Sequence, residues 1–240
     1  MSVVSVAQAS NSCISTLKKE KVSVRYVYDG DTVQLSDRRR VRLVGINTPE
    51  LKSGPGWSKA IARQAASVLK RWVFLHKEDT YLQIEKEAHD NYGRVLGYVV
   101  DSNGVGPDVT LLEKGLAYGV AIAPNLQKQK CHRRAEKRAR LAAVGVWAHK
   151  PLRAREFNKE HLGFSVLQGK VTRQFHFKTA DALVLDEKVV VMQRRSLRLP
   201  SLSGRIVQVR GWVQAKTFKR DGFEAAFTLY LNHPSNVEIL

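Results

Sequence analysis

Two short polar segments lie where strands are expected to begin or end. Residues 29–32 (Asp-Gly-Asp-Thr) place a carboxylate directly after a tight turn, and residues 47–50 (Asn-Thr-Pro-Glu) follow an apolar run that the proline interrupts. The side-chain oxygens of Asp31 and Asn47 and the backbone carbonyl of Thr48 are hard donors of the kind calcium prefers. So few protein ligands leave positions for water and a phosphate oxygen, as a catalytic metal requires. The pattern predicts a divalent-cation site, with a solvated acidic loop as the alternative.

Two arginines stand at strand positions where a cation needs a partner. Arg42 lies within the apolar run of residues 41–46, where an unpaired guanidinium would be costly to bury. Arg94 follows Asn-Tyr-Gly at residues 91–93, at the start of another expected strand. Two guanidinium groups can donate paired hydrogen bonds to phosphate oxygens whose negative charge grows in a transition state. The pair therefore favours phosphoryl chemistry, and a structural salt bridge is the alternative for each arginine.

Three segments occur in a fixed order along the chain. They are residues 28–32 (Tyr-Asp-Gly-Asp-Thr), 42–50 (Arg-Leu-Val-Gly-Ile-Asn-Thr-Pro-Glu) and 91–94 (Asn-Tyr-Gly-Arg). Together they closely resemble the signature segments of the staphylococcal nuclease (thermonuclease) family, and the resemblance extends over about residues 22–148. Three linked motifs are far more specific than any one of them.

The resemblance implies a role for each matched residue. Arg42 and Arg94 would clamp the scissile phosphate, and Glu50 would position or deprotonate the attacking water. Asp31 would be a calcium ligand, and Thr48 would add its backbone carbonyl to the same ion. The family cleaves DNA and RNA and leaves 3′-phosphate ends. Its fold is a five-stranded barrel of the oligonucleotide-binding (OB) type with three helices.

Two positions depart from the family pattern. Asn47 stands where the family has its second carboxylate ligand, and the loss of one negative charge should weaken calcium binding. Residues 119–125 match the stretch that carries the family's nucleotide-stacking tyrosines but contain none, which leaves Tyr118 or Tyr92 as substitutes. One alternative is therefore a nucleic-acid-binding protein that keeps the fold and has lost catalysis. Another is a structural protein whose second domain binds a protein partner, although no motif implies such a partner.

The overall charge favours a polyanionic substrate. The 240 residues include 40 Lys and Arg against 22 Asp and Glu, a formal net charge of +18. Residues 21–150 carry 23 basic and 13 acidic side chains, and residues 151–240 carry 15 and 8, so the excess is spread over both halves. Such a field attracts nucleic acid, and solubility alone is the alternative. No apolar stretch approaches the roughly 18 residues that a membrane helix needs.

The elements that would position the site predict an α+β domain over residues 21–150, preceded by a flexible arm at 1–20. This domain is expected to be the OB-type barrel with three helices. The expected strands are 22–35 with a turn at 29–30, 41–46, 81–87, 94–100 and 116–121, and the expected helices are 58–72, capped by Ser58, 107–115 and 126–143.

The remainder of the chain predicts a linker at residues 151–163 and a small all-β domain at 164–240, interpreted as a second five-stranded OB-like barrel. β-Rich runs are expected at 165–173, 182–192, 206–215 and 225–231, with turns near residues 186–187, 203–204 and 221–222. Basic and aromatic residues alternate here, which favours a single-strand binding surface, although aromatics at alternating positions are also typical of a core. They are Arg194, Arg195, Arg198, Arg205, Arg210, Lys216, Lys219 and Arg220, with Phe175, Phe177, Trp212, Phe218 and Phe223.

The beginning of the chain bears on cellular location. Residues 3–9 combine valines with Ala-Gln-Ala, which resembles the end of a secretory signal with its small-x-small cleavage site. This predicts a periplasmic or secreted protein, and a disordered cytoplasmic tail is the alternative. The two cysteines, Cys13 and Cys131, would form a disulfide in an exported protein and would be buried thiols in a cytoplasmic one.

Overall fold

A computed structural model describes residues 13–51, 56–197 and 199–240. These residues form two compact units. The first contains the described residues up to Val120 together with Pro124–His149, and the second contains Ala121–Ala123 and Lys150–Leu240. None of the helices in the described part of the chain combines the length and apolar character needed to span a membrane.

The first unit contains eight described strands and three α-helices. The strands are β1 (Glu20–Lys21), β2 (Val24–Val27), β3 (Thr32–Leu35), β4 (Arg40–Leu43), β5 (Ile46–Asn47), β6 (Tyr81–His89), β7 (Val95–Val100) and β8 (Tyr118–Gly119). The helices are α1 (Gly56–Leu75), α2 (Pro107–Glu113) and α3 (Gln129–Leu141).

The strand order in the first unit is that of an OB barrel. The main sheet runs β1-β6-β7-β4-β3-β2, with β4 and β7 parallel and the other neighbours antiparallel. Because β1 and β2 are almost continuous, one pairing with β6 and the other with β3, the first strand closes the sheet on itself. The prediction of a five-stranded barrel with three helices is confirmed.

Alternation along the strands fills the barrel core. Val33, Leu35, Val41 and Leu43 are buried in one apolar cluster, and α1 packs on it through apolar residues at helical spacing, Ile61, Ala65 and Leu69. The helix begins two residues before the predicted cap, so Ser58 is buried in its first turn and the prediction of Ser58 as the N-cap is wrong.

Two predicted strands are shorter than expected. The run of residues 41–46 divides into β4 and β5 because Gly45 adopts a positive φ of 82°, which ends the extended backbone. A side chain at Gly45 would also meet the His132 ring, since a Cβ there would lie 2.3 Å from its Nδ1. The run of residues 116–121 contributes only the two residues of β8, which pair with β5.

The second unit is also a closed barrel. Its strands are β9 (Leu152–Arg153), β10 (Gly163–His176), β11 (Ala180–Leu185), β12 (Val189–Arg194), β13 (Ile206–Gln214), β14 (Phe218–Arg220), β15 (Phe223–Ala225), β16 (Phe227–Leu231) and β17 (Val237–Ile239). The circuit is β10-β11-β12-β16-β13 and back to β10, with β12 and β16 parallel. Five strands in the order 1-2-3-5-4, closed between strands 4 and 1, make an OB barrel, as predicted.

Residues 151–163, predicted as a linker, contribute to this second barrel. They contain β9 and two 3-10 turns, and they bury Ala154 and Phe157 in the barrel core beside residues such as Leu167 and Phe227. The Phe157 and Phe227 rings meet edge to face with centroids 5.0 Å apart.

The expected run at residues 182–192 forms two strands, β11 and β12, separated by the turn at Asp186 and Glu187.

A disulfide joins Cys13 to Cys131 across 118 residues, with their Cα atoms 5.2 Å apart. The predicted pairing is confirmed. The segment after Cys13 is also fixed, because Gln83 Nε2 donates a hydrogen bond to the Leu17 carbonyl at 2.8 Å. The predicted flexible arm is thus ordered from Cys13 onward, and the residues before it, including the candidate cleavage site, lie outside the described residues.

A buried charge cluster holds α2 against the start of α3. One oxygen of Asp108 (Oδ2) lies 3.3 Å from Lys128 Nζ and 2.6 Å from His132 Nε2, and all three side chains are almost completely buried. The Lys128 ammonium also lies 4.8 Å from the centre of the Tyr98 ring. Burial raises the pKa of Asp108, but Lys128 and His132 outweigh it and hold that pKa well below its ordinary value.

Replacing Asp108 with asparagine is expected to lower the free energy of unfolding by about 3–5 kcal/mol at pH 7, because it leaves the Lys128 charge buried without its counterion. Because the folded-state pKa is depressed, the carboxylate contributes its full stability above its ordinary pKa of about 4 and loses it as the pH falls further. The difference in the free energy of unfolding between variant and wild type, measured by urea denaturation, should therefore be smaller at pH 3 than at pH 7.

The matched control is Glu113→Gln. Glu113 lies on α2, as Asp108 does, and its exposed carboxylate pairs with Arg138. Its expected cost is below about 1 kcal/mol. Equal losses for the two variants, or a gap that does not change with pH, would contradict this account of the cluster.

Candidate active site

The first part of the site is the turn between β2 and β3. Asp29 Oδ1 accepts a hydrogen bond from the backbone N–H of Asp31 at 3.0 Å, which fixes the turn and buries the Asp31 side chain. Gly30 is required by close packing here, since a Cβ would lie 2.5 Å from the Ala65 Cβ and 2.7 Å from the Thr48 Cγ2. The turn, helix α1 and the segment after β5 therefore meet at one point.

Three predicted metal ligands lie in direct contact at that point. Asp31 Oδ2 accepts hydrogen bonds from the backbone N–H of Thr48 at 2.7 Å and from its hydroxyl at 2.9 Å. Asn47 Nδ2 donates to the Thr48 carbonyl at 3.3 Å. All three residues are buried. Asp31, Asn47 and Thr48 therefore form one cluster of oxygen donors, although Asp31 directly precedes β3 whereas Asn47 and Thr48 lie at the end of β5.

Arg42 is anchored beside this cluster by several oxygens. Its Nη1 donates to the carbonyls of Leu43 and Ile46 at 2.8 and 3.0 Å and lies 3.3 Å from Asp31 Oδ1. Its Nη2 donates to Asn47 Oδ1 at 2.9 Å. Asn47, the neutral residue among the predicted metal ligands, thus binds the guanidinium. The contacts hold Arg42 in one orientation, and its side chain keeps 12% of its surface exposed.

Arg94 lies directly before β7, the strand that pairs with β4. Because β4 and β7 are parallel with Arg42 opposite Leu96, Arg94 stands two residues before the partner of Arg42, with Cα atoms roughly 8 Å apart from strand geometry. Arg94 Nε donates to Asp90 Oδ2 at 2.7 Å. Burial raises the pKa of Asp90, but its hydrogen bonds from Arg94 and Tyr92 outweigh this and hold it below its ordinary value.

Glu50 is placed less closely than the other predicted residues. It lies three residues after Asn47, and its side chain is exposed. Within the described residues no hydrogen bond or ion pair attaches it to the cluster, and residues 52–55 lie outside the described part of the chain. Chain connectivity keeps Glu50 near Asn47, whereas Asp31, Arg42, Asn47 and Thr48 contact one another directly.

The electrostatics of the turn suit a cation. Burial, together with the adjacent negative charge of Asp31, raises the pKa of Asp29 to about 6. Two carboxylates two residues apart therefore repel each other in a partly buried site, which a bound cation would relieve. Among the described residues no three His, Cys, Asp or Glu side chains converge, so the donors here are carboxylate, amide and carbonyl oxygens, which fit calcium better than zinc.

Asp29 is the residue of this site to which the sequence pattern assigned no role, although it lies only two positions before Asp31.

The two tyrosines considered for base stacking differ in the structure. Tyr118 is half-buried and meets the Trp147 ring edge to face at 5.3 Å. Tyr92 is 77% exposed, with the Arg94 guanidinium carbon 5.6 Å from its ring centre, so Tyr92 is the better placed of the two.

Comparison with known proteins matches the first unit. Residues 40–149 match the family model described as staphylococcal nuclease homologue. The chain is 28% identical to a thermonuclease of Staphylococcus intermedius over 134 residues, which covers 55% of this chain and 78% of the relative. It is 26% identical to the thermonuclease of Staphylococcus hyicus, covering 57% and 80%. An uncharacterised endonuclease of Escherichia coli is 33% identical over 96 residues, covering 38% and 56%.

Proposed function

Because residues 40–149 belong to the staphylococcal nuclease homologue family, we propose that the protein is a metal-dependent nuclease that hydrolyses phosphodiester bonds of DNA, RNA or both. One observation carries the proposal. The Arg42 guanidinium is held 3.3 Å from Asp31 and 2.9 Å from Asn47, beside the Thr48 carbonyl, so a cation and a guanidinium can reach the same phosphate. The net charge of +18 supports a polyanionic substrate.

The residues of the candidate site have three kinds of role in this proposal. Asp31, Asn47 and Thr48 hold the divalent cation, for which calcium fits best, and the bound cation would polarise a phosphate oxygen. Arg42, fixed by two backbone carbonyls, donates to the phosphate without losing conformational freedom during the reaction. Arg94, directly before the adjacent strand, donates to the oxygens whose charge grows, and Glu50 orients the attacking water or accepts its proton.

The deciding experiment is digestion of supercoiled plasmid, single-stranded DNA and RNA by the purified full-length chain. Cleavage is expected with calcium, is expected to stop with the chelator EGTA, and is expected to return when calcium is restored. Products that end in 3′-phosphate would support the family mechanism. Cleavage that persists unchanged in EGTA and EDTA would contradict the role given to the cation.

Asn47 supports a second candidate, a nucleic-acid-binding protein that keeps the fold without efficient catalysis. A neutral amide at this position lowers the charge available to a calcium ion. The same digestion separates the two functions, since this candidate retains salt-dependent binding and cleaves nothing at any calcium concentration.

We also propose that the protein works in the periplasm or outside the cell. The Cys13–Cys131 disulfide supports this, because disulfides persist in oxidising compartments and are rare in the cytoplasm. A cytoplasmic location is the alternative. Thiol titration of the protein taken from its native cell, under denaturing and non-reducing conditions, decides between them, since two free thiols would contradict export.

A further inference from the structure

The second barrel has an apolar cluster on its outer surface as well as a core. Residues on one face of β11 and β12, such as Leu183 and Val191, fill the barrel interior. Ala182, Val184 and Val190 point the other way and belong to a separate cluster. Because side chains alternate along a strand, this second cluster lies on the outside of the barrel.

The hairpin β14–β15, inserted between β13 and β16, packs against this outer face. It contributes Phe218 and Phe223, which meet Phe175 from the end of β10 with ring centroids 5.4 and 6.0 Å apart. Phe177 lies 6.2 Å from Phe218 in the same group. All four rings are only half-buried, so the cluster keeps aromatic surface open to solvent.

Arginines surround these rings. The Arg173 guanidinium carbon lies 5.2 Å from the centre of the Phe223 ring, and that of Arg220 lies 5.4 Å from the Phe177 ring. Lys219 is exposed next to Arg220. The cations have carboxylate neighbours, Glu187 for Arg173, Asp221 for Arg220 and Glu224 for Lys219. These ion pairs are solvent-exposed and worth at most about 1 kcal/mol, so phosphate groups can replace the carboxylates.

The location of this surface within the barrel is informative. The outer face of strands 2 and 3, together with the loops joining strands 1–2 and 4–5, is where OB barrels bind oligonucleotides. Here strands 2 and 3 are β11 and β12, Phe177 begins the first of these loops, and the hairpin β14–β15 is the second. Half-buried aromatic rings with nearby cations are also what single-strand binding surfaces use, because the rings stack on unpaired bases and the cations contact the nucleic-acid backbone.

We propose that this surface, formed by Phe175, Phe177, Phe218, Phe223, Arg173 and Arg220, binds single-stranded nucleic acid. Unpaired bases stack on the half-buried rings, and the arginines contact the phosphates. The site lies outside residues 40–149 and needs no metal. It deepens the proposed function by naming unpaired strands as a ligand, and it rests on the nucleic-acid substrate proposed there but not on cleavage.

The test is fluorescence anisotropy with the full-length protein in EGTA, which prevents metal-dependent cleavage during the measurement. The probes are a labelled 15-nucleotide dT strand, a 15-nucleotide rU strand and a 15-base-pair duplex. The variant Phe218→Leu with Phe223→Leu keeps apolar volume and removes two rings. We expect it to raise Kd for both single strands about tenfold or more, and to leave Kd for the duplex unchanged because paired bases cannot stack on the rings.

A charge variant, Lys219→Ala with Arg220→Ala, changes exposed side chains only. It is expected to weaken single-strand binding and to reduce the slope of log K against log salt by about 0.7 for each lost phosphate contact. The matched control, Lys170→Ala with Lys188→Ala, removes the same charge from exposed side chains beside the turn between β11 and β12, at the other end of β11. At 0.15 M salt those charges are screened from the surface, so Kd should not change.

Several results would overturn the proposal. One is a ring variant that keeps its melting temperature and binds dT with the wild-type Kd. Another is a charge variant that weakens binding of single strands and duplex to the same extent as its control does. If the ring variant does not fold, the charge variant decides the result. Cleavage of plasmid in calcium, measured on the same proteins, separates the two proposals, because a protein that binds dT as expected but cleaves nothing contradicts only the nuclease.

Discussion

Replacing Arg94 with alanine is expected to lower kcat by roughly 10²–10³-fold and to change substrate Kd little, because its charge is needed most when the phosphate oxygens gain charge. Arg94 is half-exposed and makes its side-chain contacts with Asp90 and Tyr92, so its loss should not disturb the barrel. The measurement is single-turnover cleavage of labelled single-stranded DNA in saturating calcium, with substrate affinity measured separately in EGTA.

Two variants make this result specific. Arg63→Ala removes an exposed arginine from α1 and should cleave at the wild-type rate, which controls for the loss of one positive charge. Arg94→Lys keeps the charge but not the paired donors, so it should recover only part of the lost rate. Near-wild-type kcat for Arg94→Ala would refute the assignment of Arg94 to the reacting phosphate.

The charge of the proposed cation site, formed by Asp31, Asn47 and Thr48, should affect the cleavage rate as strongly. Asp31→Asn removes its buried carboxylate, and we expect cleavage at calcium concentrations that saturate the wild type to fall about 100-fold or more, equivalent to roughly 3 kcal/mol. Asn47→Asp adds a carboxylate to the same cluster, so half-maximal activity should need less calcium. Both are measured as initial cleavage rate against calcium concentration.

The control for Asp31→Asn is Asp37→Asn, which neutralises an exposed carboxylate paired with Arg39 in the turn after β3 of the same barrel. It changes the net charge by the same amount and should keep the wild-type calcium dependence. If Asp31→Asn folds normally and shows that same dependence, the metal site is not where we place it. If Asn47→Asp needs more calcium, the role of Asn47 lies in its contact with Arg42 and not in the cation.

The sequence was most informative where a short segment specifies both a backbone turn and its donor groups. The turn before β3 and the segment after β5 were both located, the succession of strands and helices predicted an α+β domain, and the family resemblance implied the five-stranded barrel that the structure shows. Strand ends were harder to predict. Residues 41–46 look like one strand because four of the six are apolar, and the break comes from the positive φ of Gly45, which packs beside the His132 ring of α3.

The second unit shows the same division between local pattern and long-range contact. Its β-rich runs and turns predict an OB barrel, but residues 151–163 looked like a linker because their polar side chains outnumber the buried Ala154 and Phe157. The aromatic and basic residues were recognised as either a core or a binding surface. The fold places four of these aromatic residues, Phe175, Phe177, Phe218 and Phe223, in the cluster on the outer face.

Residue types and spacing alone predicted the family resemblance, the oxygen donors and the two arginines, because these features are encoded within short segments of four to nine residues. The contacts that give those residues their properties come from folding. Asp31 binds Thr48 across 17 positions, and Asp108 meets Lys128 and His132 in the interior. Such contacts join positions distant in the chain, and burial sets their strength, so no local pattern contains them.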